Sequence, residues 1–140
     1  MRQGADISID LNSDTFIPAD SQELANRLRA ETDLRVQSEV AAYAGVEGGP
    51  PPPDVVLYIL YTLMPIVSDV YLNVLSSALY DAIGAAFSRQ GKADSEATFS
   101  FVKTNEEGQM LGEVSGRTTD PEMIKELLSR LADEDEPGSA

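Results

Sequence analysis

The chain has 140 residues, 42% of them hydrophobic, which suits one domain with a packed core and is too many for a disordered chain. It contains no cysteine and no histidine, which excludes disulfides, thiolate metal sites, a cysteine nucleophile and the commonest acid–base group near neutral pH. The 24 acidic residues against 10 basic ones leave a charge of −14, a field that repels phosphate backbones and anionic lipid, so neither nucleic acid nor a membrane surface is an expected partner.

Met1-Arg2-Gln3-Gly4 carries no apolar stretch ahead of a cleavage site, which predicts no signal peptide and a cytoplasmic protein. Asp6-Ile7-Ser8-Ile9-Asp10-Leu11 alternates polar and apolar residues and predicts a strand. Asp20 followed three residues later by Glu23 reads as a capping box, and Leu24 and Leu28 share one helical face, so a helix is expected over 21–31. Alternation returns over 35–43, with Val36, Ser38, Val40 and Ala42 on one side. A strand, short helix and strand make a βαβ unit with parallel strands. The run at 48–53, Gly-Gly followed by four prolines, reads as a stiff connector.

Residues 55–87 are mostly apolar, yet Asp54, Tyr58, Thr62, Pro65, Asp69, Asn73, Ser76 with Ser77, Asp81, Gly84 and Ser88 recur at steps of three or four. That spacing predicts a long amphipathic helix with a wet stripe, either bent at Pro65 or broken there into two helices, and a lipid-facing span has no use for a stripe with two aspartates. Ala97 to Lys103 reads as a strand with Phe99 and Phe101 on one face. Asn105-Glu106-Glu107-Gly108 is a tight turn and Gln109 to Arg117 the returning strand. Asp120 and Pro121 open a last helix whose apolar face is Ile124, Leu127, Leu128 and Leu131.

The expectation is therefore an α/β (α+β) fold in the order β-α-β-α-β-β-α. It has a four-stranded mixed sheet, helices on one face, a single domain over 1–133 and a solvated acidic tail at 134–140.

The glycines follow neither phosphate-loop nor dinucleotide-binding spacing, so no nucleotide cofactor is expected. Asp6 and Asp10 share the wet face of the first strand. Paired acids of that kind hold a hard cation or simply face water, paired with Arg35 on the neighbouring strand, and alternation alone explains the second. Asp69 and Asp81 lie twelve residues apart, about 18 Å along a helix, too far for joint acid–base work. No catalytic, cofactor-binding or metal-binding residue is assigned. Tyr58, Tyr61, Tyr71 and Tyr80 fall on the long apolar segment and form the candidate partner-binding surface, because tyrosine joins apolar area to a polar tip.

The long apolar helix, Ala97-Thr98-Phe99-Ser100-Phe101, the turn ending in Gly108, and Asp120-Pro121-Glu122 opening a leucine-bearing helix together resemble the bacterial effector-associated constant component family. The strand, short helix, strand and proline-rich link of the first half fit as well, so the resemblance covers most of the chain. It implies a small non-enzymatic accessory protein of bacterial conflict or antiviral defence systems, in which adaptor domains pair sensors with effectors. The expected activity is protein binding, with an effector or sensor, or a second copy of the chain, as partner. The alternative is a membrane-associated protein anchored by an apolar helix at 55–87.

Overall fold

The computed structural model describes residues 5–41, 53–66, 69–91 and 95–132. The proline run at 48–52, the acidic tail at 134–140 and the side chains of Pro65 and Asp69 lie outside the described residues.

Alternation sets the first strand, β1 (Ile7–Asn12), with Ile7, Ile9 and Leu11 withdrawn from water on one face. The first helix, α1 (Pro18–Glu31), starts three residues earlier than the capping pattern implied. Pro18 takes the first helical position, where its missing N–H costs nothing, and Asp20 reaches back so that its Oδ2 accepts the Ile17 N–H at 2.8 Å. Asp20 therefore works inside the first turn, and Glu23 stays exposed. Leu24, Ala25 and Leu28 form the buried face of α1. The second strand, β2 (Val36–Ala41), pairs with β1 in parallel, as a βαβ unit requires.

The segment 55–87 departs from the expectation of helix throughout, bent or broken at Pro65. It comprises strand β3 (Val55–Leu60), a 3₁₀ helix (Tyr61–Ile66) and helix α2 (Asp69–Arg89). A strand in the middle of a sheet is apolar on both faces, so it shows no alternation and mimics a helical run. The sheet accordingly has five strands instead of four. Beyond Asp69 most of the wet stripe is real: Asn73, Ser77, Asp81, Gly84 and Ser88 are exposed, while Leu72, Leu75, Leu79, Ile83 and Phe87 are buried; Ser76, expected on the stripe, is buried and donates its hydroxyl to Asn73 O at 3.1 Å. The stretch Val70–Arg89 is long and apolar enough to cross a membrane by length and composition, with mean hydropathy 1.3, and 44% of that window is buried inside the fold. An anchor running through 55–87 has lost its first turns to β3.

The chain closes with β4 (Ala97–Thr104), β5 (Met110–Thr118) and α3 (Pro121–Ala132). Gly108, at φ 85°, supplies the left-handed residue the β4–β5 turn needs. Asp120 caps α3 by accepting the Glu122 N–H at 3.0 Å.

The sheet order is β2-β1-β3-β4-β5, with β1 parallel to β2, β3 antiparallel to β1, β4 parallel to β3 and β5 antiparallel to β4. Two βαβ units thus stand back to back. Each crossover is expected to be right-handed, and because β3 runs opposite to β1, two right-handed crossovers place α1 and α2 on the same face. α2 lies between α1 and α3. One core results, with Ile9, Leu57, Phe99 and Phe101 beneath Leu28, Leu79 and Leu128. α3 seats closely: a Cβ at Gly116 on β5 would stand 2.9 Å from Leu127 Cδ1.

Leu57 is fully buried in β3. Leu57→Ala should cost about 2–5 kcal/mol in denaturant unfolding. Ser77→Ala, on the exposed stripe of α2, should change stability by no more than about 0.5 kcal/mol.

Candidate functional site

Side chains of even-numbered residues in β1, β3 and β4 turn away from the helices, and no helix covers this face among the described residues. The strand registers order it into rows. One row runs Gln37, Ser8, Tyr58, Val102, Glu113 and a second Glu39, Asp10, Val56, Ser100, Ser115. The face is polar and acidic over β2 and β1, has an apolar patch of Val56, Tyr58 and Val102 beside Thr98 and Ser100 over β3 and β4, and is charged again on β5.

A cavity of about 490 Å³ opens over the apolar band and β5. Val56 and Val102 form its floor, Tyr58 and Met110 its sides, and Ser100 donates its hydroxyl to Glu113 Oε2 at 2.8 Å within it. Its volume lies in the range of ligand pockets, roughly 300–1,000 Å³. Among the described residues no lysine or arginine lines it, and Glu113 is its charged group. Toward β2, Ser8 Oγ and Gln37 Oε1 are buried without a hydrogen-bond partner, which costs stability and marks the least satisfied part of the face.

Asp54 ties one end of this face together. Its carboxylate accepts the Thr15 hydroxyl at 2.6 Å and the Thr98 N–H at 3.0 Å, and its backbone N–H donates to Thr98 O at 2.8 Å. The polar stripe of the sequence treated Asp54 as the first wet position of a helix, whereas it is the clasp at the mouth of β3. At the opposite end Asp6 is held by Arg35, with Nη2 to Oδ1 at 2.9 Å and the Arg35 backbone N–H to Oδ2 at 2.9 Å. The Arg35 side-chain hydrogen bond outweighs the opposing effect of burial and holds the Asp6 carboxyl below its ordinary value.

The four tyrosines lie on three elements instead of one helical surface. Tyr58 is half-buried on β3 and lines the cavity. Tyr61, in the 3₁₀ helix, has the Lys103 ammonium 5.4 Å from its ring centroid, within reach of a cation–π contact. Tyr71 on α2 donates its hydroxyl to Asp33 Oδ1 at 2.8 Å, which raises its phenol above the usual value. Tyr80 on α2 is 43% exposed. Sequence reasoning missed Lys103, 1% exposed at the end of β4, and Met110, 63% exposed on β5. Nothing in a lone lysine or methionine flags such a position before the sheet order is known.

Of the acids considered for metal or acid–base chemistry, Asp6 is bonded to Arg35 and Asp81 to Arg27. A smaller cleft of about 120 Å³ between α1 and α2 is bordered by Arg27 and Asp81, while Arg89 binds Asp20 at 2.8 Å beside it. These pairs fasten the two helices. Compared with protein-family models, with curated proteins and with solved structures, the chain matches none.

The depressed Asp6 value has a definite sign. A carboxyl whose folded pKa lies below its unfolded value near 4 stabilises the fold above that pH and ceases to do so as pH falls through the folded pKa. Asp6→Asn should therefore melt below the wild type at pH 7, and the gap should close in thermal melts taken below about pH 4. A gap that persists undiminished to about pH 2 would contradict the assignment.

Proposed function

We propose that the chain is a non-enzymatic protein-interaction domain, an adaptor or accessory subunit, that receives its partner on the helix-free face of the sheet. The cavity over β3, β4 and β5 carries this reading. It offers an apolar floor of Val56 and Val102, flanked by tyrosine and methionine, the residue types that partner surfaces favour. The chemistry available argues the same way. The sequence has no histidine and no cysteine, and Asp6, Asp20 and Asp54 each hold structural contacts. The likeness of the 97–122 pattern to effector-associated constant components supports placing the partner, an effector or sensor protein, in a cytoplasmic bacterial conflict or defence system.

Met110 tests the surface without disturbing the core, because it is exposed. Paired affinity captures with wild-type chain and Met110→Asp should recover a stoichiometric protein with the first and lose it with the second, at unchanged melting temperature. Titration of that protein should show affinity weakened tenfold or more, about 1.4 kcal/mol. A partner retained at equal affinity by Met110→Asp, or by a Val102→Lys variant that still folds, would remove the cavity from the reading.

A further inference from the structure

β5 is an edge strand of nine residues, and no described strand pairs with its outer side. The direction of its backbone groups follows from the neighbouring strand. Thr98 turns its carbonyl to the Asp54 N–H and its own N–H to the Asp54 carboxylate, both on the β3 side. Backbone groups alternate along a strand, so Phe99 and Phe101 turn theirs toward β5, where Gly116 and Val114 stand opposite. The N–H and C=O groups of Glu113, Ser115 and Arg117 therefore point away from the sheet. Among the described residues nothing is bonded to them. The other edge differs: Arg29 of α1 places Nε and Nη2 on Val36 O of β2 at 3.0 and 2.7 Å, which blunts it.

The same three residues carry a charge pattern. Glu113, Ser115 and Arg117 project on the helix-free face, as their opposites Val102, Ser100 and Thr98 do. A negative and a positive charge thus stand at equal distances on either side of Ser115. An antiparallel copy of β5 laid along the edge, with Ser115 opposite Ser115, brings Glu113 opposite Arg117 of the second copy and Arg117 opposite its Glu113. These three pairs are the ones whose backbone groups point outward, so each exchanges two hydrogen bonds, about six in all. On the helix face the same register sets Val114 against Gly116 of the second copy, a large residue against a small one.

We infer that the chain self-associates through β5, antiparallel and centred on Ser115, into a twofold dimer with one continuous ten-stranded sheet. The occupant of the edge is a second copy because the strand is complementary to itself in charge and in side-chain volume at one register. An unrelated partner would require neither. The twofold axis stands perpendicular to the sheet, so both helix layers lie on one side and both cavities open on the other. The ion pairs are exposed and fix the register more than the affinity, while the backbone bonds and excluded apolar surface hold the copies together. This inference rests on β5 alone and does not depend on the partner proposed for the cavity.

Sedimentation velocity on the full chain over roughly 1–100 µM should show a species of twice the monomer mass that grows with concentration. Glu113→Arg and Arg117→Glu each set like charges opposite one another twice per dimer, and each should weaken association tenfold or more. The double variant carrying both changes restores both pairs in reversed order and should recover dimerisation to within about threefold of wild type. Ser115→Pro removes an outward N–H without touching the β4 ladder and should abolish the dimer while thermal melts still show a folded chain. A wild-type chain that stays monomeric across the range would overturn the inference. So would single variants that dimerise as wild type does, or a double variant no better than the singles.

Discussion

β1 and β3 run antiparallel through the middle of the sheet, with Ile7 opposite Ile59, Ile9 opposite Leu57 and Leu11 opposite Val55, and water is excluded from all six side chains. Fully burying one such residue is worth about 1.5–3 kcal/mol. The six together therefore supply a gross stabilisation comparable to the whole net stability of a typical domain. Without this pairing the sheet would fall into a two-stranded fragment, β2-β1, which is marginal in water, and a three-stranded one, β3-β4-β5, each with an apolar edge. With it, the reversal of β3 brings both crossover helices to one face, and α3 joins them over β5.

The face turned away from the helices follows from the same joint. All three helices lie on one side of the sheet, so residues pointing the other way must do without them. The registers then decide their company: Tyr58 meets Val102 and through it Glu113, and Val56 meets Ser100 and through it Ser115. The apolar band, the cavity above it and the charged margin on β5 are consequences of strand order. Asp54 fixes the band at one end by joining the Asn12–Thr15 turn to β4, with Asn12 N–H donating to Asp54 O at 2.9 Å. The cavity and the β5 edge are both built on strands of the sheet.

What the sequence revealed depended on whether an element shows water to one side only. β1 declared itself through Ile7, Ile9 and Leu11, β4 through Phe99 and Phe101, and α3 through Ile124, Leu127 and Leu128 above an Asp-Pro start. β3 hid because Val55, Leu57 and Ile59 meet the helices while Val56 and Tyr58 line the cavity, so neither face is plainly polar. Asp54, Tyr58 and Thr62 happened to fall at helical spacing and prolonged a stripe that truly begins in α2. The contrary signal was composition: Val55, Val56, Tyr58 and Ile59 are β-branched or aromatic within a run of six preceded by proline and aspartate. Tyr58 was legible as a surface candidate, but its neighbours were not. Val102 and Glu113 reach it only through a strand order that no local pattern encodes.

The central claim is that Val55–Leu60 is a strand seated against β1. Asp6 O accepts the Leu60 N–H and Asp54 O the Asn12 N–H, so Ile9 and Leu57 form the close, non-hydrogen-bonded pair, with Cα atoms about 4.5 Å apart. A two-dimensional NOE spectrum of labelled protein reads this directly. The account predicts a strong cross-peak between the Hα protons of Ile9 and Leu57, with extended backbone shifts over 55–60. Sequential helical contacts running unbroken from Val55 into α2, with no cross-peak to Ile9, would contradict it.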